Sequence, residues 1–216
     1  MLMREACEQI VEYGKRVYES GLCVGTSGNL SVYDPAHGTM AISPSGIGYF
    51  ETSPSDVVIM DLEGHVLEGT RRPSSEFALH SAFYQHRPDA RAVVHTHSPY
   101  ATTLAALREP IRAVHFAIMG SGVDEVPCVP YVTFGTQELA DTVSAALDEH
   151  PDTRAVLMSN HGLICCQSGM AKAFALAVDL EFTAQIQWRA MCAGTPRLIS
   201  HEEMASSFER LKSYGQ

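Results

Sequence analysis

The chain has 216 residues, 45% of them apolar, and its 15 Lys and Arg against 25 Asp and Glu leave a formal charge of −10. That length and composition can bury a full core and predict one domain. No apolar run approaches the roughly 18 residues of a membrane span, and an acidic chain without a basic cluster lacks an extended surface for nucleic acid.

Glu5, Glu8 and Glu12 interrupt the opening residues, a poor secretory signal, so a cytoplasmic location is expected. Ile10, Val11, Gly14, Val17 and Tyr18 lie at helical spacing and predict a helix over residues 2–20, ended by Gly21. Val24–Tyr33 reads as a glycine-rich turn feeding an alternating strand. Its small residues would let the backbone approach a ligand, with Thr26, Ser27 and Asn29 as donors; the same residues also suit a plain turn. A second small-residue turn, Ser43-Pro-Ser45-Gly46, ends a short strand that starts near Met40. Val57–Met60 is expected as a strand and Asp61–His65 as a turn. In Pro73-Ser74-Ser75-Glu76 two hydroxyls precede the helical spacing of Leu79, Ala82 and Phe83. Free N–H groups at a helix start bind anions, and Ser74 or Ser75 can equally cap that start. Three hydroxyl-and-glycine turns in one acidic chain suggest a pocket for a phosphate monoester that relies little on cationic side chains.

The stretch Arg91–Pro99 reads as a buried strand running into His95 and His97, which share a face because side chains alternate with period two. Residues 99–107 look helical, and Ile111–Met119 is expected as a strand. Val126–Gly135, with two prolines, suits an edge strand or an extended loop. Thr136 would cap a helix carrying Leu139, Val143 and Leu147. In Ala155–Cys166 two apolar runs flank Asn160-His161-Gly162, the pattern of a hairpin. Three neutral imidazoles, His95, His97 and His161, with an open fourth position suit a catalytic Zn²⁺, and Glu76 offers a carboxylate. The six cysteines, Cys7, Cys23, Cys128, Cys165, Cys166 and Cys192, form no Cys-x-x-Cys pair and read as small buried hydrophobes. Residues 169–193 predict the longest helix, apolar on more than one face, for a core or another subunit. A last helix opens on the capping box Ser200–Glu203 and runs to about Lys212.

Taken in order, Gly25-Thr-Ser-Gly-Asn29, Ser43-Pro-Ser-Gly46, Pro73-Ser-Ser-Glu76, His95-Thr-His97, Pro130-Tyr-Val-Thr-Phe-Gly-Thr136, Asn160-His-Gly162 and Lys212-Ser-Tyr-Gly215 resemble the class II aldolase/adducin-head family, in its L-fuculose-1-phosphate aldolase branch. The resemblance implies a single α/β domain with a mostly antiparallel central sheet covered by helices on both sides. It implies a cyclic homotetramer with sites between neighbouring subunits. By the same match His95, His97 and His161 hold Zn²⁺, with Mn²⁺, Co²⁺ or Fe²⁺ as substitutes, and Glu76 is the acid/base. Thr26, Asn29, Ser45, Gly46, Ser74 and Ser75 form the phosphate pocket, and Tyr214 reaches a neighbour's site. The implied reaction is reversible cleavage of a sugar phosphate, a ketose 1-phosphate, to dihydroxyacetone phosphate and an aldehyde. Related 4-epimerases carry an aspartate in the place of Glu76 and an acidic residue near Phe116, and a metal-free adducin-like interaction domain would not need the histidines. One position departs from the aldolase branch: Phe116 stands where a tyrosine normally follows the Ile-His pair. It cannot donate a proton, and with Met119 it implies an apolar pocket. L-fuculose 1-phosphate is therefore joined by 5-deoxy and 5-methylthio-pentulose 1-phosphates as an expected substrate.

Overall fold

The computed structural model describes residues 2–211, so Tyr214 and the Lys212–Gly215 motif lie outside the described residues. Helix α1 (Arg4–Glu19) turns Ala6, Cys7, Ile10 and Val17 inward, one face at helical spacing, and stops before Gly21, whose φ is +69°. Next come β1 (Asn29–Asp34), β2 (Thr39–Ile42), β3 (Val58–Asp61) and β4 (Val66–Glu68), each antiparallel to the one before. Helix α2 (Phe77–His86) leads to β5 (Ala92–Thr96), and α3 (Pro99–Leu107) follows the histidines. Two short strands, β6 (Ile111–Arg112) and β7 (Glu125–Val126), pair only with each other. The chain then forms β8 (Cys128–Val129), α4 (Gln137–Glu149), β9 (Ala155–Met158), β10 (Gly162–Gln167), α5 (Met170–Ala193) and α6 (His201–Leu211). Among the described residues no helix is long and apolar enough to cross a membrane.

The main sheet has the order β4-β3-β2-β1-β5-β10-β9-β8, antiparallel throughout except where β8 runs parallel to β9 at its edge. Alternation sorts its side chains into two cores. Leu30, Ala41, Ile59, Val94 and Cys165 face α1, α3 and α5; Met40, Ile42, Val58, Val93 and Cys166 face α2 and α4. Strand β5 is covered on both faces and buried at every position, as its unbroken apolar run requires. Cys7, Cys23, Cys165 and Cys166 are buried free thiols.

The expected strand over Ile111–Met119 is not formed. Only Ile111 and Arg112 pair, and Phe116–Ser121 is a 3-10 helix. The ring of His115 accepts the N–H of Ala117 at 3.2 Å, giving the backbone a local partner in place of a ladder.

The turn between β9 and β10 is Ser159-Asn160-His161. Asn160 takes φ +55°, and the His161 N–H bonds Met158 O at 3.0 Å. Gly162 follows because there is no space for a side chain: a Cβ would strike the carbonyl oxygen of Thr96 and sit 3.1 Å from the ring of His97. Gly162→Ala is therefore expected to cost about 2 kcal/mol, a fall of about 4–8 °C in Tm for a chain of this size, measured by calorimetry.

Candidate metal centre and hydroxyl-lined cavity

The site is built where β5 ends beside the β9–β10 turn. His95 is the penultimate residue of β5 and wholly buried. Its Nδ1 lies 2.9 Å from Leu163 O on β10. A carbonyl only accepts, so Nδ1 carries the proton and Nε2 presents a lone pair. His97 lies one residue beyond the strand on the same side, and the turn delivers His161. The three ring centroids are 4.9, 5.0 and 5.0 Å apart and the rings lie at 70–85° to one another. Nε2 of His95 is 3.0 Å from Nε2 of His97.

Glu76 closes the group from the start of α2. Its Oε2 is 3.3 Å from His95 Nε2 and its Oε1 3.1 Å from His161 Nε2, and ligand atoms of all four residues lie within 4.8 Å of one another. Oε1 is buried with no hydrogen-bond partner, as is Nδ1 of His161. Buried acceptors facing one another at such range are unfavourable unless a cation sits among them. Three imidazoles and a carboxylate are the donor set of a divalent transition metal, and the residues fit such an ion.

Burial works to raise the Glu76 carboxyl, but positive charge and N–H donation at the rings of His95 and His161, a role a bound cation among them would also fill, overcome it and hold the group well below the usual carboxylate range. Burial, reinforced by His95 and His161, lowers His97 to about 4, and it lowers His80 to about 3. Both rings are neutral at neutral pH, the state in which a histidine binds metal.

A cavity of about 400 Å³ adjoins the histidines. Thr26, Asn29, Ser45, Gly46, Ser74 and Ser75 line it together with Glu76, His97 and His161, so the three small-residue turns and the cluster share one wall. Backbone pairing gathers the turns: Pro44 bridges Pro73, Ser74 N donates to Ser43 O, Ser43 N donates to Leu30 O, and Leu30 N donates to Ser43 Oγ. Gly28 lets the first turn lie against β5, since a Cβ there would strike Cys23 Sγ and stand 2.7 Å from His95 O. Thr26, Ser45, Gly46 and Ser75 are open to solvent, and no Lys or Arg is among the lining residues. An anion here would meet hydroxyls and backbone N–H groups. Ser74 does not cap α2 in the usual way: its Oγ takes the N–H of Glu76, and Glu76 is itself the cap residue with its side chain turned to the histidines.

Two expectations need adjusting. Asn29 lines the cavity, but its Oδ1 is 2.5 Å from His80 Nε2 and its Nδ2 donates to Glu76 Oε2 at 2.9 Å. Most of its amide is engaged within the protein. Phe116 and Met119 line a different cavity, of about 800 Å³, with Asp179 and Arg210; within one chain they do not face the histidines. Sequence reading missed His80, Ser31 and Tyr84 behind Glu76, and Tyr131, Phe134 and Asn160 in the cavity wall. The first group had a signal. Glu76, His80 and Tyr84 recur every fourth residue along α2, and Asn29 and Ser31 alternate on β1.

An α/β fold that converges three histidines and a carboxylate beside a hydroxyl-lined cavity defines a metal-binding enzyme scaffold. A family model of the class II aldolase and adducin N-terminal domain matches residues 8–188, and the chain belongs to that family. It is 46% identical to a 5-deoxy-D-ribulose 1-phosphate aldolase of Bacillus thuringiensis serovar kurstaki, over the whole of both chains. It is 39% identical to an L-fuculose phosphate aldolase of Escherichia coli, over all of this chain and 98% of that one. A solved L-fuculose 1-phosphate aldolase structure superposes with a TM-score of 0.93 at 41% identity, covering 98% of each chain.

Two outcomes are expected. His97→Ala removes one of three converging imidazoles and should lose most bound divalent metal, as measured by elemental analysis. The metal-free protein should lose stability on acidification. On unfolding, His97 and His80 return to an ordinary value near 6.5, so between there and about 4 the unfolded chain binds protons the folded chain does not. Its Tm should therefore fall as pH drops through that range, in thermal scans with chelator present.

Proposed function

We propose that the protein is a zinc-dependent class II aldolase that reversibly cleaves a ketose 1-phosphate to dihydroxyacetone phosphate and an aldehyde. The observation that carries this reading is that Glu76, His97 and His161 belong both to the metal cluster and to the wall of the hydroxyl-lined cavity. Proton transfer, metal and anion binding therefore meet within one substrate's length.

His95, His97 and His161 would hold Zn²⁺, which when bound supplies a Lewis acid for the substrate carbonyl. The turns carrying Thr26, Ser45, Gly46, Ser74 and Ser75 bind the phosphate, and that remote binding energy fixes the reacting carbons against Glu76. In the condensation direction the ionised carboxylate removes a proton from the hydroxymethyl carbon of dihydroxyacetone phosphate. In cleavage the C4 hydroxyl gives up its proton to solvent as the C3–C4 bond breaks and the aldehyde forms, and the Glu76 carboxyl, carrying a proton, returns it to the carbanion left on C3. The Asn29 amide engages Oε2 at 2.9 Å, and Oε1 lies 3.1 Å from His161 Nε2, so the carboxylate is held in one orientation beside the histidines.

Tyr131 and Phe134 give the cavity an exposed aromatic rim, and the relatives named above act on a 5-deoxy sugar phosphate and on fuculose phosphate. Both features support a substrate with a deoxy or thioether tail. A neighbour's Phe116 and Tyr214 reach the site only if the chain self-associates, and a cyclic homotetramer in the cytoplasm is the assembly we assign. Exposed Phe116, Val178 and Phe182 provide apolar surface for it.

The purified, zinc-loaded protein should release dihydroxyacetone phosphate from at least one of fuculose, 5-deoxyribulose and 5-methylthioribulose 1-phosphates, followed with a coupled reductase. Release from none would overturn the reading. Glu76→Gln should keep the fold but lose turnover by about 10²-fold or more; near wild-type kcat would remove Glu76 from proton transfer.

A further inference from the structure

Behind Glu76 runs a buried chain of polar side chains, of which the reaction outlined above uses only the Asn29 amide. Tyr84 OH is 2.6 Å from Ser31 Oγ, and Ser31 Oγ is 2.6 Å from His80 Nδ1. His80 Nε2 is 2.5 Å from Asn29 Oδ1, and Asn29 Nδ2 is 2.9 Å from Glu76 Oε2. His80 and Ser31 are wholly buried and Asn29 and Tyr84 nearly so.

Donor accounting fixes every direction along the chain. The ionised carboxylate only accepts, so the amide must turn its NH₂ group to Glu76 and its oxygen to His80. That oxygen only accepts, so Nε2 of His80 carries the proton. In the neutral ring Nδ1 is then an acceptor, Ser31 donates to it, and the Ser31 oxygen receives the Tyr84 hydroxyl. A flipped Asn29 amide would set its oxygen against the carboxylate, a repulsive contact in a dry environment whichever tautomer His80 takes. Nor is the chain a proton wire. An amide that accepts at Oδ1 has no proton to release from Nδ2 without becoming an imidic acid.

We propose that His80 is a positioning residue. Its Nε2–H locks the Asn29 amide with the NH₂ group toward Glu76, pinning Oε2 and with it the orientation of the carboxylate beside the histidines. The activity part of this inference rests on the aldolase reading; the hydrogen-bond direction does not.

The test uses the zinc-loaded full chain. His80→Phe keeps a planar ring but removes the N–H, and should lower kcat by about 10–100-fold while KM for the ketose phosphate and zinc content stay near wild type. His80→Gln, which restores a side-chain N–H, should recover part of that loss. In an Asn29→Ala background His80 has nothing left to act through, so His80→Phe should cost less than about twofold more. Imidazole ¹⁵N spectra of the wild type should show His80 as the Nε2–H tautomer, an arm that stands whether or not His80→Phe folds. Equal losses in both backgrounds, a rise in KM in place of the fall in kcat, loss of zinc, or an Nδ1–H tautomer would each overturn the proposal. A wild type that cleaves no ketose phosphate but shows the Nε2–H tautomer would sink the aldolase reading and leave the locked amide standing.

Discussion

The structure depends on holding several electron-rich atoms together out of water. Nε2 atoms of His95 and His97 at 3.0 Å, with the Glu76 oxygens 3.1–3.3 Å from neighbouring imidazoles, repel unless a cation or shared protons lie between them. Such a cluster is kept only if its backbone cannot relax. Here the supports are the centre of the main sheet, where β5 is covered on both faces, and a three-residue turn bonded back to β9. Gly28 and Gly162, where a side chain would strike the strand carrying the histidines or the residues just beyond it, let the neighbouring segments close in.

The hydroxyl-lined cavity is assembled beside this cluster from turns far apart in the chain. The turns after α1, β2 and β4 are separated in sequence, yet Ser43 is bonded to both β1 and the Ser74 segment, so the hydroxyls arrive as one surface. That surface contains no cationic side chain. A fixed positive charge there would raise the cost of assembling a divalent cation among the neighbouring imidazoles. Helix α2 links the two halves, because its cap residue belongs to the cluster and its buried stripe anchors the amide that grips it.

Much of this was legible in the sequence. The period-two placement of His95 and His97, the apolar β5, the hairpin at Asn160 and the capped α4 and α6 each follow from local rules that hold whatever the rest of the chain does. Local rules failed at Ile111–Met119, where β propensity was overridden by a side chain that captured a backbone N–H. They were also silent on Phe116, which only the family resemblance implied as a pocket wall and whose place depends on which surfaces meet.

The sequence by itself therefore determined most of the elements, Ile111–Met119 excepted, together with the donors and the motif order, since periodicity, turn chemistry and residue type are properties of short segments. Only the tertiary structure decided that His161 joins His95 and His97, that Asn29 serves Glu76 as much as the cavity, and that His80 stands behind both. These are distances between residues tens of positions apart, set by strand register and by the burial of two cores, and no local pattern encodes a distance.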